Sequence, residues 1–374
     1  MSVVSRDLRR TLLAATIASG LLLTAGCASG ADPGVPGDAG DAGIPSTSLQ
    51  LATFLGPQTP YGAAIEWFVD EVAERSDGAI TIEVFWEGGL LNGPDVLTGV
   101  AEGRADLGFS NANYSPAELP LSQVISVPFL SSDVVAVQSA FTELYETNQD
   151  YQNEWSNLGV RPLAFQAVTP MVMLGETAPD GVDWIAGKTV RATSVMGNAI
   201  QAAGGNAVAL ALSELYESAE RGLINGAASL NFGTIPSISL QEVMPHVADP
   251  GTGIYSQTSL IANESVYSGL DESVRAILDE ASAQFNDVYL DQLAVFDAQA
   301  CDDVLAVDGS VTQWSEDETA AWQDLLGDSI VDEWKSAAGA GGANVDAFFD
   351  EYLGLISQSV DSDYVDGVAA CAAR

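Results

Sequence analysis

Positive charge is scarce in this chain, which carries 12 lysine and arginine residues against 52 aspartate and glutamate residues in 374 positions. The formal net charge of −40 repels nucleic-acid phosphates and anionic lipid headgroups, which argues against both as binding partners. Histidine is scarcer still, because His246 is the one copy. Without a second histidine, Ser-His-Asp, Cys-His and zinc sites lack an essential part. His246 follows Pro245 and is expected in a loop.

Motifs that hold cofactors are missing as well. The stretches "GPQTPYG" and "AAGGNA" fit neither the Walker nor the dinucleotide-binding fingerprint. No acidic stretch has the spacing and the distal glutamate of a calcium loop. The sequence therefore predicts no cofactor, no metal site and no catalytic residue.

The N-terminus contains the most apolar run, but it is too short to remain as a membrane span. The run "TLLAATIASGLLL" (11–23) follows a basic stretch and leads into "LTAGC", which ends in Cys27. This resembles a bacterial lipoprotein signal, in which the cysteine is acylated and becomes the mature N-terminus. Thr24 departs from the aliphatic residue usual at that place. The alternative is an ordinary secretory signal followed by an unmodified thiol.

The lipoprotein interpretation fixes the expected location of the protein. Residues 1–26 would be removed, and residues 27–48, rich in small residues, proline and glycine, would form a flexible tether. Multiple acyl chains on Cys27 would anchor the protein on the outer face of the cytoplasmic membrane, or in the periplasm. Cys301 and Cys371 then remain as a matched pair in an oxidising compartment. We expect a disulfide between them, with two free thiols as the alternative.

The residues after the tether alternate between strand and helix patterns. A strand at 49–55, a helix at 61–78, a strand at 79–86, a helix at 93–103 and a strand at 105–110 follow one another. This β-α-β-α-β order predicts a parallel sheet with helices on its faces.

The same rhythm returns after residue 160 and predicts a second α/β unit. Strands are expected at 161–168, 171–175, 188–194, 206–211, 226–231 and 259–263, and helices at 196–203 and 212–225. A long amphipathic helix runs from Asp271 to about Val304, and the chain past Gly309 is expected to form two or three shorter helices. Two such units create a cleft where loops after the strands gather. With no catalytic parts, this plan favours an extracytoplasmic binding protein.

Several stretches resemble the solute receptors of tripartite ATP-independent periplasmic (TRAP) transporters. The first is "YGAAIEWFVDEVAERSDGAITIEVFWEGGLLNGPDVLTGVAEGRADLGFSN"; the others are "VPFL" (127–130), "WIAGKTVRATS" and "LSELYESAERGLINGA" (212–227). The resemblance extends over residues 49–305. It implies an α/β, two-domain periplasmic-binding-protein-like fold, with a ligand cleft between the domains and a long helix spanning both. Such receptors close about a hinge and are not enzymes.

The resemblance also implies domain boundaries and partners. Domain I is expected at 49–168 plus about 256–296, and domain II at 169–255 plus about 297–345, followed by a helical tail at 346–374. The partners would be a small organic acid and the small and large membrane subunits of a TRAP transporter, with the receptor itself a monomer. Membrane contact would come through the lipid anchor alone.

Arg191 in "GKTVRATS" stands where many TRAP receptors hold a solute carboxylate. A guanidinium pairs with a carboxylate through two parallel hydrogen bonds, which suits this role. The alternative is that Arg191 pairs with an acid of the chain itself. Lys188 falls on the opposite strand face and is expected in solvent.

Two positions differ from the family pattern. Met171 stands where some members carry a second arginine, and Leu212 stands where a phenylalanine is frequent. A pocket built with these two residues is more apolar and, with Met171 in place of an arginine, less cationic, so one carboxylate is expected rather than two. The solute would be a monocarboxylate such as an oxo, aromatic or amino-acid-like acid.

The remaining candidate contacts are taken from position after the strands. Ser229 and Asn231 would donate hydrogen bonds, and Phe232 would stack on the solute. The further candidates are Ser194 in the second unit and Phe54, Gln58, Asn92, Asn111 and Tyr114 in the first.

Two other functions remain open from the sequence. A receptor for an ATP-driven importer shares the two-domain plan but usually lacks the long spanning helix. A secreted hydrolase that works through carboxylates is the alternative from another class, although no motif supports it.

Overall fold

The computed structural model describes residues 43–358 and 365–374, which leaves the expected signal, most of the tether and Cys27 outside the described part. Eleven strands alternate with helices in the described residues. The strands are β1 (Thr47–Thr53), β2 (Ile80–Phe85), β3 (Leu107–Asn111), β4 (Val160–Ala167), β5 (Val172–Gly175), β6 (Thr189–Arg191), β7 (Asn206–Val208), β8 (Gly226–Leu230), β9 (His246–Asp249), β10 (Gln257–Asn263) and β11 (Ser310–Gln313).

The helices pack on both faces of the sheets. They are α1 (Pro60–Arg75), α2 (Val96–Ala101), α3 (Val134–Thr147), α4 (Gln149–Ser156), α5 (Met196–Ala202), α6 (Leu215–Glu220), α7 (Glu264–Gly269), α8 (Glu272–Ala306), α9 (Glu316–Leu326), α10 (Ser329–Gly339), α11 (Val345–Ile356) and α12 (Gly367–Ala372). Short 3₁₀ turns fill several connections, among them Ala112–Tyr114, Ser122–Ser126 and Phe232–Ile238.

The first sheet has the strand order β2-β1-β3-β10-β4. The predicted parallel arrangement is confirmed for β1 with β2 and for β1 with β3, whereas β10 runs antiparallel to both β3 and β4. Thr59 directly precedes helix α1 and caps it, because its hydroxyl oxygen accepts a hydrogen bond from the Gly62 N–H. The helix buries an apolar face that includes Ile65 and Phe68. The C-terminal ends of β1, β2, β3 and β4 and the N-terminal end of β10 therefore lie at one edge of this sheet.

The second sheet has the strand order β11-β9-β5-β8-β6-β7. Strands β6, β7 and β8 are parallel, and β5 is antiparallel to its two neighbours. Three segments connect the sheets: α7 and α8 lead from β10 to β11, and two extended segments lead from β4 into β5 and from β9 into β10. The two extended segments pair through an isolated bridge between Pro170 and Ile254 and through a hydrogen bond from the Val168 N–H to the Ser256 carbonyl (2.9 Å).

Helix α8 is the predicted long helix, with 35 residues. Its N-terminal half packs against α1 and β4, and its C-terminal half packs against the Phe232–Ile238 turn, α12 and β11. The two-sheet α/β architecture with a long helix is as expected. A disulfide joins Cys301 on α8 to Cys371 on α12, with 5.6 Å between their Cα atoms.

The C-terminal region departs from the sequence prediction. His246 begins β9 instead of lying in a loop, because the residues after Gly309 form β11, which pairs with it in parallel. The Nδ1 of His246 is 2.9 Å from the Ser310 hydroxyl oxygen, so the histidine lies at a strand pairing rather than at a catalytic centre. Four helices follow β11 in the described residues, where two or three were expected.

Lys188 is half-buried rather than in solvent, since its Nζ donates to the Trp184 carbonyl (2.6 Å) and lies 4.6 Å from the centre of the Trp184 ring.

In the part of the chain that the structure describes, no helix is both long enough and apolar enough to cross a membrane.

Candidate functional site

A small cavity lies at the ends of the strands of both sheets. The centre of a water-sized sphere can occupy a volume of about 50 Å³ within it. Its walls are formed by fifteen residues, none of them acidic: Phe54, Leu55, Tyr61, Asn111, Tyr114, Val168, Arg191, Thr193, Leu212, Ser229, Leu230, Asn231, Thr234, Tyr255 and Thr258. In a chain with 52 acidic residues, a wall without one is the first unusual property of this cavity.

Arg191 provides the positive charge of the cavity. Its side chain is buried, with the residue only 3% exposed. The Nε donates to the Leu210 carbonyl (3.2 Å), and the Nη1 donates to the carbonyls of Ala228 (3.0 Å) and Ser229 (2.7 Å). Arg191 forms no ion pair with any described residue, and its Nη2 has no hydrogen-bond partner among them.

The backbone of Ser229 explains how two carbonyls reach one guanidinium nitrogen. In an extended strand successive carbonyls point in opposite directions. Ser229 has φ 56°, in the left-handed region, so the strand turns there and the carbonyls of Ala228 and Ser229 face the same Nη1. Such a conformation costs a non-glycine residue about 1–2 kcal/mol. The strain sits at the residue that holds Arg191 in place.

Three buried polar atoms of the cavity lack a partner. Asn231 Nδ2, Thr234 Oγ1 and Thr258 Oγ1 make no hydrogen bond with the described residues, although each residue is 4% exposed or less. A buried polar group without a partner costs about 1–3 kcal/mol. A bound molecule with acceptor oxygens would satisfy these groups.

The first-sheet side supplies aromatic rings and an amide. Phe54 and Tyr114 pack edge to face with 5.5 Å between ring centres. Gly93 permits this arrangement, because a Cβ there would come within 2.8 Å of the Tyr114 ring. The Tyr114 hydroxyl accepts from the Leu212 N–H (3.2 Å), so its own hydrogen remains free to be donated. Asn111 accepts through Oδ1 from the Asn113 N–H (2.9 Å), which leaves its amide hydrogens for other partners.

Two further tyrosines line the cavity and remain neutral. Burial raises the pKa of Tyr255 well above its ordinary value, while the charge of Arg191 acts in the opposite direction. Burial likewise raises the pKa of Tyr61, whose hydroxyl accepts a hydrogen bond from the Tyr289 hydroxyl (2.9 Å). Both phenols therefore keep their hydrogens at neutral pH and can act as donors.

Seven of the twelve residues selected from the sequence line the cavity. They are Arg191, Ser229, Asn231, Leu212, Phe54, Asn111 and Tyr114. The sequence did not single out the other eight lining residues, of which Thr234, Tyr255 and Thr258 are the most informative polar ones. Tyr255 belongs to the segment between β9 and β10, for which the sequence gave no strand or helix pattern.

The other five selected residues lie outside the cavity wall. Met171 is fully buried in the core, and its parity along the chain is opposite to that of Val168, which does face the cavity. Phe232 is 1% exposed and packs in the core of the second sheet instead of facing a solute.

The remaining three selected residues, Gln58, Asn92 and Ser194, also lie outside the cavity wall. Gln58 is exposed and donates to Glu87 (3.0 Å), and Asn92 is exposed before the turn that begins at Gly93. The Ser194 hydroxyl donates to Gln123 rather than lining the cavity.

Comparison with known proteins gives a consistent family. The model of "bacterial extracellular solute-binding protein, family 7" (DctP) matches residues 51–336. A solute-binding protein of Chromohalobacter salexigens is 29% identical over 259 residues, covering 63% of this chain and 72% of its own length. The C4-dicarboxylate-binding periplasmic protein DctP of Rhodobacter capsulatus is 24% identical over 306 residues, covering 78% and 87%.

A solved structure has the same fold. It is a TRAP solute-binding protein from a marine metagenome, described as specific for aromatic acid ligands and bound to metahydroxyphenylacetate. It superposes with a TM-score of 0.76 at 19% identity, covering 84% of this chain and 100% of that one. At this identity the likeness concerns the fold alone. The matched family model spans most of the described residues, and the chain belongs to the family 7 extracellular solute-binding proteins, the DctP-type receptors of TRAP transporters.

Proposed function

We propose that this receptor captures a small monocarboxylate through Arg191 and delivers it to the membrane subunits of a TRAP transporter. The family consists of solute receptors rather than enzymes, so the hydrolase alternative is not supported. Membership of the DctP-type family likewise leaves no support for a receptor of an ATP-driven importer.

The observation that carries this proposal is the electrostatic environment of Arg191. A buried ion without a counter-ion costs several kcal/mol relative to water, and hydrogen bonds to carbonyl dipoles offset only part of that cost. Arg191 lines the cavity with three such bonds, and among the described residues it has no carboxylate partner and its Nη2 has no hydrogen-bond partner. A solute carboxylate would supply the missing negative charge through a charge-assisted contact.

The lining favours one carboxylate over two. Arg191 is the only cation among the fifteen lining residues. A dicarboxylate such as those named for the Rhodobacter capsulatus relative would bring a second charge with no partner. The lining has no acidic residue either, so the ammonium of an amino acid would be left unpaired. This removes the amino-acid-like acids from the earlier candidates and leaves oxo and aromatic monocarboxylates.

The unpaired polar atoms favour an acid that carries further oxygen. Asn231 Nδ2, Thr234 Oγ1 and Thr258 Oγ1 are buried without partners, and two neutral tyrosines stand beside them. A bare alkyl acid would leave these groups unsatisfied, whereas a hydroxyl or oxo oxygen near the carboxylate could pair with them. A hydroxy- or oxo-monocarboxylate is therefore the best match to the lining.

Closure around the solute forms part of the proposal. The two sheets would be the cores of domain I, residues 49–168 with about 256–296, and domain II, residues 169–255 with about 297–345. The paired segments near Pro170 and Ile254 connect the sheets and would serve as hinge strands, and α8 packs against elements of both. The cavity is lined by residues of both sheets, so solute binding and closure would be coupled.

Location and assembly complete the proposal. Cys27 would carry the lipid that holds the receptor outside the cytoplasm, and the receptor would act as a monomer. The family is one of extracellular solute-binding proteins, which supports the compartment but not the anchor.

The test is a melting-temperature panel of pyruvate, lactate, propionate, benzoate and succinate at low salt, followed by calorimetry. A ligand of the native state raises the melting temperature by mass action. In Arg191→Ala the affinity for monocarboxylates should fall at least about 100-fold, because a buried charge-assisted contact is lost. Arg221→Ala is the matched control, since this exposed arginine pairs with Glu217 and is not part of the cavity lining. Unchanged acid binding in Arg191→Ala would refute the proposal.

A further inference from the structure

Ser194 connects the two sides of the cavity. It follows β6 of the second sheet, three residues after Arg191. Its hydroxyl donates to the Oε1 of Gln123, which lies in the Ser122–Ser126 turn on the first-sheet side. Neither residue is part of the cavity wall.

The orientation of the Gln123 amide is determined by its other contacts. Its Nε2 lies 2.8 Å from the Ala112 carbonyl oxygen and 3.0 Å from the Leu119 carbonyl oxygen. Carbonyls only accept, so the nitrogen must face them and the oxygen must face Ser194. Gln123 is 4% exposed, which leaves its Oε1 little access to water as a substitute partner.

The same amide holds a turn that reaches the solute. Ala112 opens the Ala112–Tyr114 turn, and Tyr114 faces the cavity. The Tyr114 hydroxyl accepts from the Leu212 N–H of the second-sheet side (3.2 Å). Two hydrogen bonds therefore join the sides of the cavity, and Gln123 is connected to both.

The Ser194 backbone adds a second independent feature. It has φ 50°, a left-handed conformation that costs a non-glycine residue about 1 kcal/mol or more. The turn directs the hydroxyl toward Gln123 rather than toward the cavity. A strained serine whose side chain makes its one contact across the cleft is better explained by closure than by solute recognition.

We propose that the Gln123–Ser194 hydrogen bond is a latch that sets the balance between the open and closed receptor. Both are positioning residues, and the inference rests on the closure assumed in the proposed function. A net hydrogen bond changes an equilibrium by about 2- to 12-fold. Because the latch belongs to the closed state and not to the solute, its loss should weaken all solutes by one factor.

The experiment uses Ser194→Ala in the full chain, with Ser239→Ala as the matched control. Ser239 has the same left-handed backbone, with φ 52°, but its hydroxyl makes no hydrogen bond with a described residue. Solution X-ray scattering without solute and calorimetry with pyruvate and with benzoate provide the readouts. We expect Ser194→Ala to be more open and to bind both acids about 2- to 12-fold more weakly, in an unchanged ratio. Ser239→Ala should match the wild type.

A double-mutant cycle with Gln123→Leu separates the latch from general loss of structure. In the Gln123→Leu background, Ser194→Ala should have no further effect on affinity or scattering. Wild-type scattering and affinity in Ser194→Ala would overturn the latch, as would weakened binding of one acid only, which would make Ser194 a solute contact. These outcomes are independent of Arg191→Ala, whose failure would refute the proposed carboxylate site instead.

Discussion

Two arginines of the sheets show opposite solutions to the placement of a positive charge. Arg161 on β4 donates to both carboxylate oxygens of Glu264, at 2.9 Å and 3.3 Å, and its guanidinium lies 4.6 Å from the centre of the Tyr267 ring. Among the described residues Arg191 on β6 hydrogen-bonds only to carbonyl oxygens, and it is 3% exposed. The charge of Arg161 is neutralised by an acid of the chain itself, whereas Arg191 has no counter-ion among the described residues.

The pKa of Glu264 shows the effect of its ion pair with Arg161. Partial burial acts to raise the pKa of Glu264, but hydrogen bonds from Arg161 and Ser268, with the charge of Arg161, hold the pKa below its usual value. The pair is self-sufficient and partly in solvent, with side chains 38% and 36% exposed.

The rest of the chain makes the exception at Arg191 informative. Nine basic residues lie in the described part, and six of them form ion pairs: Arg75, Arg104, Arg161, Arg221, Lys335 and Arg374. With acids so abundant, a carboxylate near Arg191 would be easy to supply. Its absence from the cavity wall indicates a site that receives its negative charge from outside.

The largest expected effect comes from giving Arg191 an internal partner. Asn231 lines the same small cavity, and Asn231→Asp places a carboxylate there at almost unchanged volume. The new acid should pair with Arg191 and repel an anionic solute, so we expect acid affinity to fall about 1000-fold, measured by calorimetry. The melting temperature without solute should rise, because the cavity then resembles the Arg161–Glu264 pair.

Asn231→Ala is the control for this experiment. It removes the amide without adding charge and should cost about 10-fold in affinity, the value of one hydrogen bond. If the aspartate and alanine variants bind acids equally, the cavity does not depend on an uncompensated positive charge, and the comparison with Arg161 loses its meaning.

A buried acid on α8 provides the next test, because it also lacks a counter-ion. Asp297 is 3% exposed, and its Oδ1 has no partner among the described residues. Burial, and then the charge of Asp366, raise the pKa of Asp297 to about 7, against a lowering hydrogen bond from the Gly233 N–H. The buried carboxylate of Asp297 would therefore be neutralised by binding a proton, whereas Arg191 would be neutralised by a solute carboxylate.

The sign of the pH dependence follows from this raised pKa. The folded state holds the proton more tightly than the unfolded chain, so the associated stability is complete below about pH 4 and is lost as the pH rises to about 7. Asp297→Asn should remove that loss and increase the free energy of unfolding at pH 8 by up to about 4 kcal/mol, with little change at pH 4. Urea unfolding at both pH values measures the effect. Asp287→Asn, an exposed site on the same helix, should change neither value.

Local patterns in the sequence were sufficient to predict most strands and about half of the cavity lining. Arg191 could be found because a rare charge falls in a strand with a known family position. Ser229 and Asn231 could be found because they end the next strand of the sheet. These features depend on residues close together in the chain, where periodicity and turn chemistry are informative.

The rest of the lining depends on contacts that local patterns do not encode. Tyr255 lies in the segment that returns from the second sheet to the first, and Thr258 lies at the start of β10, which this segment enters. Their place in the same cavity wall as Arg191 is therefore set by the path of the chain between the two sheets. Met171 shows the same limit, since the sequence pattern does not reveal that its side chain is buried in the core rather than in the cavity wall.

The smallest expected effect comes from replacing Arg161, and it should be confined to the stability of the fold. Arg161→Ala removes a partly exposed pair and its packing on Tyr267, so the free energy of unfolding should fall by about 1 kcal/mol. Acid affinity should stay at the wild-type value, because Arg161 is not in the cavity wall. Urea unfolding and calorimetry on Arg161→Ala and Arg161→Lys provide the measurements, and the lysine should keep part of the stability through its charge. A loss of acid affinity in Arg161→Ala would mean that the two charges are coupled, so that Arg191 could not be treated as the one cation reserved for the solute.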